Sequence, residues 1–198
     1  MLSTDDQIEQ KIRELKPGSI IFTEDFQEYG SSGAVKVALH RMVKKGLLRT
    51  IARGIYTKPK FSKLLNQDVM PSAEQVATAI AERDRARLLP TGVYAQNMLG
   101  LSTQVPLKLV YLTDGSPRKI NIGNRTIQFK KTTPKNLALK GEISKLVVQA
   151  LKEIGKDKAT DQELRKITAL LQKEDVKDLK HDIALAPQWI AEIMAKAL

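Results

Sequence analysis

Between Tyr29 and Gln67 the chain holds nine basic residues and no acidic one, and the apolar period changes partway through that stretch. Ala34, Val35, Ala38, Leu39, Met42 and Val43 recur at steps of one, three and four, which predicts an amphipathic helix. Gly46 then supplies a residue able to take the left-handed position that ends a helix. Residues 47–51 and 54–57 read as two short strands joined at Ala52-Arg53, a hairpin with arginines at its base and tip. The chain must therefore pack one face of a helix beside a hairpin and leave a cationic surface outside.

The residues before that stretch complete the pattern. Ile8, Ile12 and Leu15 are spaced four and three apart behind the cap candidates Ser3 and Thr4, with Asp5, Asp6 and Glu9 in an acidic start. Pro17-Gly18 ends this helix, and residues 19–22 read as a short strand. Thr23 is a cap candidate for a second helix over residues 24–29, and the serines of Gly30-Ser31-Ser32-Gly33 can accept the free amides of the third. Helix, strand, helix, turn, helix and two-stranded hairpin is the order of a winged helix-turn-helix, whose third helix enters the major groove while the wing follows the flanking backbone. On that expectation Ser32, Lys36, Val37, His40 and Arg41 lie near base edges, and Lys44, Lys45, Arg49, Arg53 and Lys58 meet phosphates.

Charge along the rest of the chain supports a polyanionic partner. A second acid-free stretch, between Gly115 and Gly141, holds seven cations. Together the two stretches carry 16 of the 33 lysines and arginines, so the remainder sets 17 cations against 22 acids within a net charge of +11. Segregated cations release counterions from a nucleic acid when they neutralise its phosphates. The second stretch contains Arg118, Lys119, Arg125, Lys130 and Lys131 on two expected strands joined at Gly123-Asn124, a basic sheet that offers an alternative docking surface for an acidic partner.

We expect an α+β protein with two domains: a winged helix-turn-helix over residues 1–66, then a C-terminal α+β domain over 67–198 with a small antiparallel sheet and a helical tail. In the second domain, helices are expected over 71–87, 93–100, 143–154, 160–171, 175–185 and 187–198, and strands over 107–113, 118–122 and 125–131. The chain lacks Cys and has only His40 and His181, so thiolate metal sites and nucleophile–histidine pairs have no parts. No phosphate loop or nucleophile elbow occurs. Asp114 followed by Gln128 and Lys130 faintly matches a metal-dependent nuclease core, but a single carboxylate is a poor cage for Mg2+. We therefore expect no enzyme activity, no metal and no cofactor. The first twenty residues hold seven charges and no apolar signal segment, and no 18-residue apolar run occurs. The expectation is a cytoplasmic protein without membrane contact.

Two runs also carry a family resemblance. Residues 34–46 lead into Leu47-Leu48-Arg49-Thr50-Ile51-Ala52-Arg53-Gly54-Ile55-Tyr56, and further on comes Asn97-Met98-Leu99-Gly100-Leu101-Ser102-Thr103-Gln104-Val105-Pro106, an order that no generic structural need demands. With Gly92-Val93-Tyr94-Ala95-Gln96 before it, this resembles the AbiE-type abortive-infection antitoxins of type IV toxin-antitoxin pairs, over roughly the first 135 residues. The resemblance implies a winged-helix domain that binds operator DNA and represses its own operon. It also implies a C-terminal domain that counteracts a nucleotidyltransferase-like toxin, and it brings no catalytic residues. Winged helices commonly pair on repeated half-sites, so pairing on DNA is one expectation for this chain; its oligomeric state is left open.

Overall fold

A computed structural model describes residues 3–198. The chain forms an α+β protein of two compact units, one reaching from the N-terminal side to Ala79 together with Asn121–Gly123, the other containing Ile80–Ile120 and Asn124–Leu198.

In the first unit, α1 (Thr4–Glu14) starts at Ser3, whose hydroxyl accepts the Asp6 amide while the Asp6 carboxylate accepts the Ser3 amide. This reciprocal capping box satisfies two otherwise orphaned donors. Ile8 and Ile12, one turn apart, are fully buried. β1 (Ile20–Phe22) leads into a 3₁₀ helix (Thr23–Tyr29), which takes the place of the expected second α-helix. Its start is fastened by the Asp25 side chain, which accepts the Phe22 amide at 2.8 Å; Thr23, expected as the cap, lies inside it. α2 (Ser32–Lys44) follows, capped by Ser31, whose hydroxyl accepts the Ala34 amide. Gly46, at φ +75°, takes the left-handed position expected of it.

β2 (Arg49–Ala52) and β3 (Ile55–Thr57) then form the hairpin, with Ala52 opposite Ile55. The turn is thus Arg53-Gly54, one residue later than the sequence suggested, because Gly54 at φ +75° meets the backbone demand of a two-residue turn. β3 also pairs antiparallel with β1, giving the order β1-β3-β2. Val35, Ala38, Leu39 and Met42 of α2 close on Ile8, Ile12, Ile21, Phe26 and Leu48 in one core. A second hairpin, β4 (Phe61–Ser62) and β5 (Gln67–Asp68), occupies a stretch for which no strand was expected.

The division between the units falls inside α3 (Ala73–Asp84), where the Ser72 hydroxyl accepts the Gln75 amide. This helix stops at Asp84, short of the expected residue 87, and Arg85 turns the backbone at φ +52°. β6 (Leu88–Thr91) fills the gap between the expected helices 71–87 and 93–100, where no strand was expected, and it contains Pro90. It lies at the edge of its sheet, where a missing amide is tolerated. After α4 (Val93–Met98) come β7 (Lys108–Thr113), β8 (Arg118–Ile122) and β9 (Arg125–Lys131), in the order β6-β7-β9-β8.

The expected antiparallel sheet is mixed: β7 pairs antiparallel with β6 and parallel with β9. The tight turn at Gly123-Asn124 folds β9 back between β7 and β8, so β9 runs the same way as β7. Tyr111 stacks on Phe129 and takes the edge of Tyr94 on one face of this sheet. α5 (Glu142–Ile154), α6 (Asp161–Leu171), α7 (Val176–Leu185) and α8 (Gln188–Ala195) agree with the expected helices to within a few residues and bury Val147, Leu151, Ile167, Leu171, Leu179, Ile190 and Met194 together.

The start of α5 is held by carboxylates from distant residues. Gly141, at its N-cap, offers no side chain. Glu174 accepts the amides of Glu142, Ile143 and Ser144, and buried Asp182 accepts those of Lys140 and Gly141 together with the Ser144 hydroxyl. A Cβ at residue 141 would collide with Ser144 Oγ and come within 2.7 Å of the Glu174 carboxyl carbon. Gly141→Ala is accordingly expected to lower stability by about 1–3 kcal/mol, the ordinary cost of overpacking, readable as a lower urea midpoint. An unchanged midpoint would show that the loop gives way freely. No helix among the described residues is long and apolar enough to cross a membrane.

Candidate nucleic-acid interface

Ser32, Lys36 and His40 stand at i, i+4 and i+8 on α2 and so share one face, which flanks the buried stripe on the side of Val35. All three are exposed, as is Arg53 in the β2–β3 turn. The structure brings these four around one groove of about 570 Å³, whose other walls are Thr23, Glu24, Gln27, Val35, Gly54 and Tyr56. Two contacts tie the turn to the 3₁₀ helix: the Gly54 carbonyl accepts the Thr23 amide at 3.1 Å and the Thr23 hydroxyl at 3.4 Å. α2, the 3₁₀ helix and the hairpin turn are thereby held as one concave surface. Thr23 and Gln27 were not picked from the sequence as groove residues; their only sequence signal was a place at the start and middle of the second helix.

The remaining sequence candidates divide by what they touch. Val37 is 50% exposed, an apolar side chain presented to solvent beside Lys36. Lys44 is exposed one turn beyond His40. Arg41 donates to Asp5 at 2.6 Å and Lys45 to Glu9 at 2.6 Å, so two cations a turn apart on α2 meet two acids a turn apart on α1. The Lys45 ammonium, followed by the Arg13 guanidinium, holds the Glu9 carboxyl below its ordinary value. Arg49 reaches Asp68 of β5 at 3.3 Å. Lys58 donates to the carbonyls of Arg13 and Leu15 at 2.7 and 2.6 Å, capping the C-terminal end of α1. The groove cations Lys36 and Arg53, with Lys44 beside them, have no such partner among the described residues.

In the second unit, Arg118 pairs with Asp84 and lies 5.6 Å above the Phe129 ring, while Arg125 is half-buried. Lys119, Lys130 and Lys131 remain exposed. Asp114, the acid of the nuclease pattern, accepts from the Arg87 amide and from its Nε, each at 2.8 Å, and that guanidinium keeps its carboxyl below the ordinary value. Among the described residues no group of three or more His, Cys, Asp or Glu stands close enough to hold a metal ion.

A protein-family model described as a family of unknown function (DUF6088) matches residues 7–179. The chain belongs to that family. The match takes in all of α2, both hairpins of the first unit and the mixed sheet, so the groove of this DUF6088 protein lies wholly within the family's span. A search of curated proteins gives no match.

Proposed function

We propose that this DUF6088 protein is a sequence-specific DNA-binding transcriptional regulator of winged helix-turn-helix type, acting as the antitoxin of a type IV toxin-antitoxin pair. The observation that carries the DNA reading is the groove: Ser32, Lys36 and His40 on one face of α2 stand across from Arg53 at the hairpin turn. In this reading α2 lies in the major groove, with Lys36 and His40 donating to base edges or phosphates and exposed Val37 available to a thymine methyl. Arg53 and Lys44 take phosphates on either side. The order β1-β3-β2 beside α2 supports the winged-helix assignment.

The test is a gel shift with duplex DNA from immediately upstream of the reading frame. A shift at low salt that Lys36→Glu removes supports the proposal, and no shift at low salt sinks it. A smaller effect is expected on the α1 side. Asp5→Asn frees Arg41 from its ion pair and should tighten DNA binding by about 2–5-fold, the scale of one added exposed charge contact. Weaker binding would place Asp5 in the recognition surface itself.

Autorepression and the countering of a nucleotidyltransferase-like toxin follow from the family resemblance alone. The alternative docking surface for an acidic partner narrows to Lys119, Lys130 and Lys131, because Arg118 is committed to Asp84 and Phe129. Co-purification with the product of an adjacent reading frame, lost when these three lysines become Glu, would support that role.

A further inference from the structure

The second hairpin of the first unit is built unlike a surface connection. Its four-residue loop, Lys63 to Asn66, is closed by Phe61 opposite Asp68 and Ser62 opposite Gln67, with Asn66 at φ +49° and the Ser62 hydroxyl accepting the Leu65 amide. At its apex Leu64 is 93% exposed, with Leu65 at 57% and Phe61 at 58%. None of these side chains serves the core of its own unit. Lys60 and Lys63 flank them, both exposed, and the hairpin's single carboxylate, Asp68, is engaged by Arg49. That pair fastens β5 to the first residue of β2, soon after the end of α2 and at the opposite end of the strand from the Arg53-Gly54 turn.

Charge and shape together identify the occupant. Apolar side chains raised on an apex between ammonium groups suit a partner with an apolar slot bordered by anions, which is the description of a base step between phosphates. A flat protein interface would instead favour apolar residues spread over a face with few lysines among them. Residues 61–67 of the hairpin also belong to the acid-free stretch that supplies Lys36 and Arg53 to the groove.

We propose that the 61–68 hairpin is a DNA-deforming arm: Leu64, with Leu65 beside it, wedges into the minor groove next to the segment contacted by α2, while Lys60 and Lys63 take the flanking phosphates. This rests on the DNA reading above. Such a wedge partly unstacks one step and kinks the duplex toward the major groove, with flexible pyrimidine–purine steps the least costly to open. Sequence preference then arises at base pairs that α2 never touches.

The experiment uses the full chain with circularly permuted fragments of its own upstream DNA, whose gel mobility reports bending. Wild type should bend the DNA. Leu64→Ser/Leu65→Ser should bind within about ten-fold of wild type, because the cost of unstacking the step offsets most of what the inserted leucines contribute, yet leave the DNA straight. Both positions are exposed, so the variant's thermal melt should match wild type. Bound DNA left straight by wild type, or bent equally by the variant, overturns the arm while the DNA reading stands. A variant that differs from wild type in oligomeric state by sedimentation without DNA assigns the apex to a second copy and also overturns it. No binding to this DNA or to random duplex at low salt overturns both proposals at once.

Discussion

Lys36→Glu/Arg53→Glu is expected to abolish the gel shift, weakening binding by about 100-fold or more at moderate salt. The double change removes two phosphate contacts and sets two carboxylates against the backbone. Both side chains are exposed and neither bonds within the described residues, so the circular dichroism spectrum and melting temperature should stay those of wild type. Arg41→Glu makes an instructive contrast. Arg41 already neutralises Asp5, and reversing it places three acids, with Glu9 nearby, on the α1–α2 seam. It should therefore weaken DNA binding and lower stability together, whereas the groove variant separates the two. If the groove variant binds like wild type, α2 and the turn are not the interface.

The largest stability effect should come from Asp182→Ala. This carboxylate is fully buried and accepts from the amides of Lys140 and Gly141, from the Ser144 hydroxyl, and lies 2.8 Å from His181 Nδ1. Removing it leaves two amides without their acceptor at the mouth of α5, and leaves the Ser144 hydroxyl only the Gly141 carbonyl, at 3.3 Å. The expected loss is about 3–5 kcal/mol, the scale of breaking a buried charged network from one side, seen as a drop of about 10 °C in melting temperature. Burial by itself pushes the Asp182 carboxyl up, but the hydrogen bonds from Ser144, His181, Lys140 and Gly141 outweigh it and hold the carboxyl below the ordinary value. Its contribution is therefore complete above the unfolded carboxylate value, near pH 4, and is lost as the pH falls through the lower folded value. Wild type should lose stability on acidification over that range, and Asp182→Ala should lose less of what remains. Equal acid sensitivity in both would mean that other carboxylates govern the acid limb.

How far the sequence speaks for itself depends on the distance over which each feature is decided. The stripe from Val35 to Met42, the stop at Gly46 and the caps at Ser3 and Ser31 are local, and they lie where periodicity and capping chemistry put them. The shared face of Ser32, Lys36 and His40 follows from helical spacing alone. What stayed hidden was set by partners far along the chain. Arg41 and Lys45 look like interface cations until α1 brings Asp5 and Glu9 beside them, across 36 residues in each case. Lys58 looks like a phosphate ligand until the end of α1 presents two carbonyls. Asp182 differs from other helix aspartates only because Gly141, 41 residues earlier, passes close enough to donate to it. β6 holds Pro90, which only an edge position tolerates, and a sequence cannot say in advance which strand will be the edge.

The central claim, that α2 and the hairpin turn hold DNA, is tested most directly by the salt dependence of binding. Fluorescence anisotropy with the upstream duplex should give log affinity falling linearly with log salt, with a slope near −3 per chain from Lys36, Lys44 and Arg53 alone, at about −0.9 per contact, steepening to about −4.5 if Lys60 and Lys63 of the hairpin arm each neutralise one phosphate more. Lys36→Ala should make that slope shallower by about 1. A slope near zero, or one that Lys36→Ala leaves unchanged, would contradict the account.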